Sequence, residues 1–366
     1  MVSGQVETLT SHDNYSALDR LLHRIAFMSW SLQFSAADIE KAFFGARFRD
    51  VRIERPIFIT SLPRAGTTLL LELMNRLPEL ATHRYRDMPL VMAPILWETM
   101  SKRFRKVARP TERAHGDGMQ VGYDSPEALE EVVWRAFWPE KFGAATIELW
   151  SDQEVRLDFE AFYSEHIRKI IAVRSKAGAR LVRYAAKNNA NVARIGLLRR
   201  MFPDSLFLVP FRDPLNQAES LRRQHLRFLA MHRRDPFSKR YMRDIGHFEF
   251  GELRRPINFD GLGAILRGLQ STTLNYWIAY WVAAFNHIVS YRDSVVFVSY
   301  ERLCEAGPPA FRSLEMRLGL MEHALEGATS MLRPPTRYEC DIDELDPEVM
   351  EGAHTLHREL LSMSAL

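Results

Sequence analysis

The stretch of sequence that decides the fold is residues 56–70, PIFITSLPRAGTTLL. It begins with a short apolar run, continues through a loop that contains proline and glycine, and leads directly into a leucine-rich helical pattern. A strand, a tight loop and a helix start in this order aim several backbone N–H groups at one point, and the helix dipole adds to their positive potential. The pattern therefore predicts a binding site for a phosphate or a similar anion.

The side chains of this loop also favour an anion. Gly66 lets the backbone approach closely, Thr67 and Thr68 add hydroxyl donors, and Arg64 adds a permanent positive charge. The loop differs from that of ATP-dependent kinases, because no lysine follows Gly66 and the basic residue lies two positions before it. We therefore predict that the first anion site, residues 63–68, does not bind ATP with magnesium.

A second anion site, consisting of Arg212 and Ser220, is predicted from the segment SLFLVPFRDP, residues 205–214. A buried-strand pattern ends near Arg212, and Asp213 followed by Pro214 is a typical helix start. Ser220 then lies about two turns into that helix. Ligands of parallel α/β sheets bind beyond the carboxyl ends of the strands. Two anion sites at two strand ends suit a nucleotide with two separated anionic groups.

With these motifs the chain resembles the sulfotransferases that use 3′-phosphoadenosine 5′-phosphosulfate (PAPS). In that family a P-[KR]-[SA]-G-T-T loop holds the 5′-phosphosulfate, matched here by PRAGTT, residues 63–68. An arginine with a serine eight residues later holds the 3′-phosphate, matched by Arg212 and Ser220. Two more segments resemble strand ends of the family: VSYERL, residues 298–303, and RYAAKN, residues 183–188, whose lysine would lie near the sulfuryl group. The matches run in order from about residue 56 to residue 303.

The resemblance implies a role for each matched residue. The 5′-phosphosulfate would be held by Arg64, Ala65, Gly66, Thr67 and Thr68, and the 3′-phosphate by Arg212 and Ser220. Arg64 and Lys187 would face the bridging and sulfuryl oxygens. Arg337 lies where family members fold a late loop over the nucleotide, so it would contact the 3′-phosphate or be a plain surface arginine. The desulfated product is PAP, and no metal is expected to be required, since the leaving group is already a phosphate anion.

The base that takes the proton of the acceptor hydroxyl stays open. Cytosolic family members have a histidine two residues after the strand-end lysine, where this chain has Asn189. The arginine of the first loop, and Lys187 followed by asparagine, resemble the tyrosylprotein and bacterial branches more closely. The tyrosylprotein-like branch uses a carboxylate some twenty residues past that loop, and Asp87 is the nearest match. His115 on a glycine-flanked loop is the rival base, whereas the competing interpretation of Asp87 is an ion pair with Arg84 or Arg86.

Composition limits the class of protein. With 366 residues and 46% hydrophobic content, the chain can form one large α/β domain. A net charge of +3 implies no general attraction to nucleic acid, and Cys304 and Cys340 form no metal or redox motif and fit a reducing compartment. The N-terminus shows no secretory signal, and the uncharged stretch 271–291 is interrupted by polar residues, which favours a buried aromatic helix over a membrane span. We therefore expect a bacterial, cytoplasmic enzyme with no integral membrane span.

Strand patterns that alternate with helical ones predict an α/β protein with a P-loop-like, doubly wound parallel sheet of about four to five strands flanked by helices. The candidate strands are residues 56–61, 180–186, 205–211 and 294–299. We expect a helical N-terminal arm at 1–50, a single PAPS-binding domain at 51–330 and a C-terminal loop and helix tail at 331–366. Helical insertions are expected at about 88–175 and 222–290, and DSPE at 124–127 predicts a helix start.

The acceptor is expected to be a hydroxyl of a small molecule, lipid, glycan or peptide, and neither its identity nor the oligomeric state follows from the sequence. Aromatic residues within 271–285 would line an apolar acceptor pocket or belong to the core. Residues 222–243, with eight Lys or Arg and one acid, would form an anion-attracting rim or a solvated face with a loop at 235–238. The predicted function is metal-independent, in-line transfer of the sulfuryl group from PAPS. The alternatives are an ATP-dependent phosphotransferase and a catalytically silent nucleotide-binding protein on the same fold.

Overall fold

The centre of the molecule is a five-stranded sheet whose strands are all parallel. The computed structural model describes residues 17–102, 111–112, 120–122, 124–175, 182–340 and 345–366. The strands of this sheet are β1 (Ile57–Ile59), β2 (Leu80–Ala81), β5 (Arg183–Lys187), β6 (Leu206–Phe211) and β7 (Val295–Ser299), in the spatial order β2-β5-β1-β6-β7. Outside it, β3 (Thr111–Glu112) and β4 (Gln120–Val121) form an antiparallel pair.

Within the described ranges, fourteen α-helices surround the sheet. They are α1 (Ala17–Ala26), α2 (Trp30–Phe44), α3 (Thr67–Asn75), α4 (Pro94–Ser101), α5 (Glu131–Phe137), α6 (Leu157–Arg174), α7 (Ile195–Met201), α8 (Pro214–Arg234), α9 (Pro236–Ile245), α10 (Leu262–Ile265), α11 (Leu274–Val289), α12 (Tyr300–Ala306), α13 (Pro308–Leu318) and α14 (Pro347–Met363). The predicted α/β class with a parallel sheet flanked by helices is confirmed.

Both faces of the sheet are buried, because alternate residues along each strand point to opposite sides. Phe58 and Phe207 belong to the larger hydrophobic cluster, which α5, α6, α8 and α11 cover. Ile57, Ile59 and Leu208 belong to a second cluster on the other face, under α3, α12 and α13. The sheet is therefore doubly wound, and the carboxyl ends of β1, β5 and β6 lie side by side at one edge.

All four strands predicted from the sequence are present, each shortened or shifted by a few residues. The fifth strand, β2, has only two residues at the edge of the sheet, which is too short for a recognisable alternation. The predicted aromatic helix is α11, which buries Trp277 and Trp281 in the core. No helix in the described part of the chain has the length and apolarity that a membrane crossing needs.

Two local predictions are wrong. The predicted helix start at residues 124–127 is a turn followed by a bridged segment, because Pro126 forms a β-bridge with Arg84 and the N–H of Glu127 donates to the carbonyl of His83 at 3.1 Å. These contacts with the chain after β2 outweigh the local signal, and α5 begins only at Glu131. The predicted loop at 235–238 is a helix start, since the carboxylate of Asp235 accepts from the first two free N–H groups of α9.

The N-terminal helices pack on the rest of the molecule through buried polar groups. The side-chain amide of Gln33 donates to the carbonyl of Pro89 at 2.9 Å, and Glu40 accepts from the N–H of Leu96 at 2.6 Å. Burial raises the pKa of Glu40, even though Lys169, 3.3 Å away, and two backbone N–H groups oppose the shift. Helix α2 therefore lies against the insertion that follows β2, whereas His23 of α1 contacts Asp244 of α9 at 3.1 Å. The division of the chain into three parts stays a prediction.

Candidate active site

The first anion site is a loop with two residues in the left-handed backbone region. Arg64 has a φ of 68° and Gly66, which precedes α3, has a φ of 96°. A Cβ atom on Gly66 would lie 2.5 Å from Cδ2 of Tyr300, so the position requires glycine on both conformational and steric grounds. The loop brings the start of α3, where Thr67 and Thr68 stand, next to the end of β1. The unpaired N–H groups of a helix start are the groups that bind a phosphate.

Gln217, in the first turn of α8, links this loop to the neighbouring strand end. Its Nε2 atom donates to the carbonyls of Pro63 at 3.0 Å and Leu62 at 3.4 Å. Its Oε1 atom accepts from the backbone N–H of Arg212 at 3.3 Å and from Nε1 of Trp281 at 3.0 Å. The amide is fully buried and uses both donor and acceptor. Sequence reasoning missed this role, because the two loop carbonyls that Gln217 binds lie about 155 residues away in the chain.

The second anion site directly contacts the first. Arg212 follows β6, and its Nη1 atom donates to the carbonyl of Arg64 at 3.3 Å. The Nε atom of Arg64 donates to the hydroxyl of Ser220 at 3.1 Å. Asp213 caps α8 as predicted, accepting from the N–H of Asn216 at 2.9 Å. The structure thus brings together the two sites that the sequence placed about 150 residues apart.

Arg212 is buried but incompletely paired. Its Nη2 atom donates to the carbonyl of Thr336 at 3.1 Å, whereas its Nε atom makes no hydrogen bond and lies 3.6 Å from Oε1 of Glu301. Burial raises the pKa of the Glu301 carboxyl, although backbone N–H groups and Arg212 oppose the shift. A buried guanidinium with an unused N–H and only neutral carbonyls on the other nitrogens leaves a positive site suited to an external anion.

The late segment 333–340 lies beside the two anion sites, as the family resemblance implied. The hydroxyl of Tyr300 donates to the carbonyl of Arg333 at 2.9 Å, and burial raises the pKa of Tyr300 to about 12. The N–H of Tyr338 donates to Oδ1 of Asn216 at 2.9 Å, and the ring of Tyr338 lies under the guanidinium of Arg223. Arg337 is exposed between Thr336 and Tyr338, so the chain that carries it is fixed near Arg212.

Lys187 is the last residue of β5 and stands level with the start of the first anion site. Its register partner is Ile59, the last residue of β1. The N–H of Asn188 continues the pairing by donating to the carbonyl of Ile59 at 3.0 Å. Lys187 is partly buried and lines a pocket that also reaches Leu62 and Pro63. The lysine therefore lies between the first anion site and this pocket.

The strand-end pocket, so named for its position beyond β5, has an apolar wall and a polar end. Aromatic rings supply much of the wall, and the residues concerned are Phe248, Phe250, Tyr276, Trp277 and Tyr280. The polar groups include Lys187, Asn189, His247 and Glu249, and Arg254 donates to the hydroxyl of Tyr276. Glu131, Asn188 and Arg255 also line the pocket. The pocket is narrow, with a cavity volume of about 50 Å³. Its composition, a few convergent polar groups in an aromatic setting, is typical of small-molecule sites.

Asp87 is not in this pocket but in a buried ion pair. Nη2 of Arg174 contacts both of its carboxylate oxygens at 2.5 Å, and the N–H of Arg84 donates to Oδ2 at 2.8 Å. Burial raises the pKa of the carboxyl, but Arg174 and the adjacent His83 outweigh it and hold the pKa well below its usual range. The ion-pair interpretation named Arg84 or Arg86, and the observed partner is Arg174. The role of Asp87 as base stays a prediction, and His115 lies outside the described residues.

The basic stretch 222–243 is largely matched by acids. Arg222 and Arg223 both contact the carboxylate of Glu219, at 2.7 and 2.6 Å. Lys239 pairs with Glu252 at 2.5 Å, and Arg233 lies 3.6 Å from the same carboxylate. Because these charges are paired within α8, α9 and the following turn, the stretch resembles a solvated helical face more than an anion-attracting rim.

Comparison with known proteins agrees with this geometry. A family profile described as "Sulfotransferase family" matches residues 56–323. The crystal structure of sulfotransferase STF1 from Mycobacterium tuberculosis H37Rv is similar with a TM-score of 0.53 and 12% identity over 94% of this chain and 88% of that one. Sulfotransferase STF9 from Mycobacterium avium gives a TM-score of 0.50 and 13% identity over 96% and 87%. No curated protein sequence matches the chain. From the profile match over most of its length, together with the shared fold, the chain belongs to the sulfotransferase family.

Proposed function

We propose that the protein transfers the sulfuryl group of PAPS to an acceptor hydroxyl. The observation that carries this proposal is the direct contact between the two anion sites, through Arg64 Nε to the Ser220 hydroxyl at 3.1 Å and Arg212 Nη1 to the Arg64 carbonyl at 3.3 Å. PAPS carries anionic groups at both its 5′ and 3′ positions. A site with two adjoining anion-binding elements suits such a nucleotide better than one with a single phosphate chain.

The residues present fit PAPS. The glycine turn at Gly66 and the N-terminus of α3, with Thr67 and Thr68, would hold the 5′ end. Arg212, whose buried Nε atom makes no hydrogen bond, and Ser220 would hold the 3′-phosphate, with Arg337 close by. The first loop has no lysine after Gly66, so it lacks the group that contacts the β- and γ-phosphates of ATP.

Two cations would stabilise the transfer. PAPS supplies a trigonal sulfuryl group that moves in line between two oxygens, as in phosphoryl transfer. Arg64 and Lys187 would neutralise the charge that grows on the bridging oxygen when the bond to sulfur breaks. Lys187 is held for this task by the register of β5 on β1, which fixes it beside the first anion site. The proposal uses these side chains and the N–H groups of α3, and no metal.

The strand-end pocket would hold the acceptor, because it opens from Lys187 and touches Leu62 and Pro63 of the first loop. Its aromatic wall and small volume favour a slender apolar compound with a hydroxyl over a glycan or a folded peptide. Trp277, Tyr276 and Tyr280 on one face of α11 would contact the apolar body of such an acceptor.

Calorimetric titration tests the nucleotide. We expect PAP to bind in the absence of magnesium and ATP with magnesium to bind weakly. The opposite result, magnesium-dependent binding of ATP and none of PAP, would replace this proposal by a phosphotransferase. The matched variants are Arg212→Ala in the site and Arg312→Ala on the exposed surface, and only the first is expected to weaken PAP binding.

Turnover tests the reaction. PAPS with a labelled sulfuryl group is incubated with the full-length protein and a panel of phenols, alkyl alcohols, sugars and tyrosine peptides. We expect labelled product from phenols or apolar alcohols. Tight binding of PAP with no turnover of PAPS on any acceptor or on water would mean that the protein binds the nucleotide without catalysis.

A further inference from the structure

The segment 247–250, between α9 and the turn at Gly251–Leu253, is held rigidly beside the strand-end pocket. Helix α9 ends at Ile245 and is capped by Gly246, whose φ of 83° lies in the left-handed region. The N–H of His247 donates to the carbonyl of Met242 at 2.8 Å. A Cβ atom on Gly246 would lie 2.5 Å from Cγ of Glu131, so this turn is seated closely on α5. At the other end, the N–H of Gly251 donates to Nδ1 of His225 at 3.0 Å.

Side chains alternate along this segment. Phe248 and Phe250 are buried, with 2% and 4% exposure, and belong to the larger hydrophobic cluster. His247 and Glu249 are only partly buried, and both line the strand-end pocket together with Lys187. The two phenylalanines thus anchor the backbone in the core, and His247 and Glu249, which alternate with them, present two titratable groups to the pocket.

Glu249 is also tied to the end of β5. The Nδ2 atom of Asn189, two residues beyond Lys187, donates to Oε1 of Glu249 at 3.1 Å. Asn189 is itself fixed, since its carbonyl accepts from the hydroxyl of Thr60 at 3.4 Å, just before the first anion site. The Oε2 atom of Glu249 takes part in no hydrogen bond or ion pair with the residues that the structure describes, which leaves it open to a bound molecule.

We propose that Glu249 is the base that takes the proton of the acceptor hydroxyl, and that Asn189 is the residue that positions it. The inference rests on the proposed function and deepens it. As Glu249 accepts the proton, the acceptor oxygen forms its bond to sulfur and the bond from sulfur to the bridging phosphate oxygen breaks. The electron pair leaves with PAP, whose added negative charge Lys187 stabilises. The proton passes from Glu249 to water after the product departs.

Other carboxylates near β5 are already committed to protein partners. Glu131 contacts Arg194 with both oxygens, at 2.7 and 2.9 Å, and accepts from Asn188 at 2.6 Å. Both carboxylate oxygens of Asp87 accept from Arg174. His247 shares the pocket, but its ring makes no hydrogen bond to any part of the chain that the structure describes. Burial raises the pKa of the Glu127 carboxyl, but the nearby His247, hydrogen bonds from Tyr85 and from the N–H of Ala128 at 2.8 Å, and Lys187 outweigh it, so this carboxylate is committed as well. Glu249 is the carboxylate with one oxygen anchored and the other open at the pocket.

The test compares Glu249→Gln with Glu252→Gln in the full-length protein. Glu252 is on the same stretch of chain but pairs with Lys239 outside the pocket, so its variant controls for loss of a carboxylate. We expect Glu249→Gln to lower kcat by roughly 100-fold or more, the scale of general base catalysis, with the PAP dissociation constant and the melting temperature unchanged. The loss is expected to shrink for acidic nitrophenols, and the acid limb of the pH–rate profile is expected to disappear. Glu252→Gln should match the wild type.

Two further variants separate a base from a structural residue. Glu249→Asp keeps the carboxylate and should recover part of the rate that Glu249→Gln loses. Asn189→Ala keeps the base but releases it, so kcat should fall by about tenfold with the acid limb of the pH profile retained. If the wild type turns over PAPS and Glu249→Gln has a near-normal kcat, the assignment of Glu249 as base is wrong, but the proposed function still holds. The same conclusion follows if the loss of kcat in Glu249→Gln does not depend on the acidity of the phenol. If the wild type transfers the sulfuryl group of PAPS neither to any acceptor of the panel nor to water, the proposed function and this inference are both wrong.

Discussion

Two buried arginines, Arg174 and Arg212, show opposite kinds of pairing. The side chain of Arg174 is 3% exposed and that of Arg212 is 8% exposed. Nη2 of Arg174 donates to both carboxylate oxygens of Asp87 at 2.5 Å. Arg212 reaches only two backbone carbonyls, at 3.1 and 3.3 Å, with Glu301 no closer than 3.6 Å to its Nε atom. The two arginines are thus similarly buried, but Arg174 forms a closed ion pair, in direct contact with a carboxylate. Arg212 is an open cation, whose hydrogen bonds go only to neutral carbonyls.

The difference teaches how to tell a structural charge from a binding one. A buried charge costs free energy unless a partner compensates it. Each arginine keeps one buried nitrogen without a hydrogen bond, but Arg174 has a carboxylate in direct contact, which compensates its charge far better than neutral groups do. Neutral carbonyls compensate only in part, so the positive potential around Arg212 stays available to an anionic ligand. On this criterion we expect the region of Asp87 to stabilise the fold and the region of Arg212 and Ser220 to bind a ligand.

The largest expected effect is on the closed pair. Asp87→Asn leaves the charge of Arg174 buried without compensation, so we expect the free energy of unfolding to fall by about 3–5 kcal/mol. Denaturant unfolding measures this change, and kcat per folded molecule should be retained. If unfolding is unchanged and kcat falls by roughly 100-fold, Asp87 acts as the base after all, and the comparison fails.

The same pair predicts a pH dependence of stability. The pKa of Asp87 lies well below its usual range in the folded protein, because Arg174 and His83 outweigh the effect of burial. Its contribution is therefore present above the pKa of the unfolded chain, about 4, and is lost as pH falls through that range towards the folded pKa. Denaturant unfolding at a series of acidic pH values should show a decline in the wild type that is shallower in Asp87→Asn. Parallel curves would contradict the pairing.

Lys187→Ala removes the next largest contribution, this time from turnover. Its charge is most useful once the bridging oxygen becomes anionic, so kcat should fall by roughly 100-fold or more while the PAP dissociation constant changes little. Kinetics at saturating PAPS together with calorimetry measure the two quantities separately. A normal kcat would return Lys187 to the role of a strand-end lysine in contact with solvent.

Arg212→Ala tests the open cation. Loss of a charge-assisted hydrogen bond to the 3′-phosphate should weaken PAP binding by about 1.5–3 kcal/mol, which is a factor of roughly 10 to 150. Because Arg212 is not part of a closed pair, the free energy of unfolding should change far less than in Asp87→Asn. If Arg212→Ala instead loses much of its stability and its PAP dissociation constant does not change, Arg212 has a structural role like that of Arg174.

Ser220→Ala has the smallest expected effect. The hydroxyl accepts from Arg64 at 3.1 Å and would donate to the 3′-phosphate, a neutral donor that contributes about 0.5–1.5 kcal/mol. PAP affinity should fall by a factor of about two to ten, measured by the same calorimetry. A loss greater than that of Arg212→Ala would mean that the hydroxyl, through Arg64, organises the first anion site as well.

Residues that the sequence identified belong to single strand–loop–helix units. Gly66, Arg212 and Ser220 could be predicted because the strand pattern, the turn residues and the helix cap all lie within a few positions of each other. The parallel sheet followed from the same units, apart from the two-residue strand β2. The left-handed backbone at Arg64 was not predicted, since arginine carries no local signal for it.

Residues that the sequence missed depend on contacts between distant segments. Arg174 meets Asp87 across 87 positions, whereas the partners considered from the sequence, Arg84 and Arg86, are immediate neighbours. Glu249 meets Asn189 across 60 positions, and no local pattern marks it. The extended segment at Glu127 is another case, because pairing with the chain after β2 overrides a good helix-start pattern. Such contacts are set by packing of the insertions, which periodicity does not encode.

The register of β1 with β5 has a consequence for insertions and deletions. Ile59 faces Lys187 across the pair, so the spacing between the first anion site and the lysine is fixed by backbone hydrogen bonds. Deleting one residue inside β5 would turn every following side chain to the opposite face and remove Lys187 from the site. Lengthening the chain between α4 and α6 would leave that spacing untouched, because loop closure costs little more for a longer loop. Changes of loop length can thus alter the walls of the strand-end pocket while the spacing between the first anion site and Lys187 stays the same.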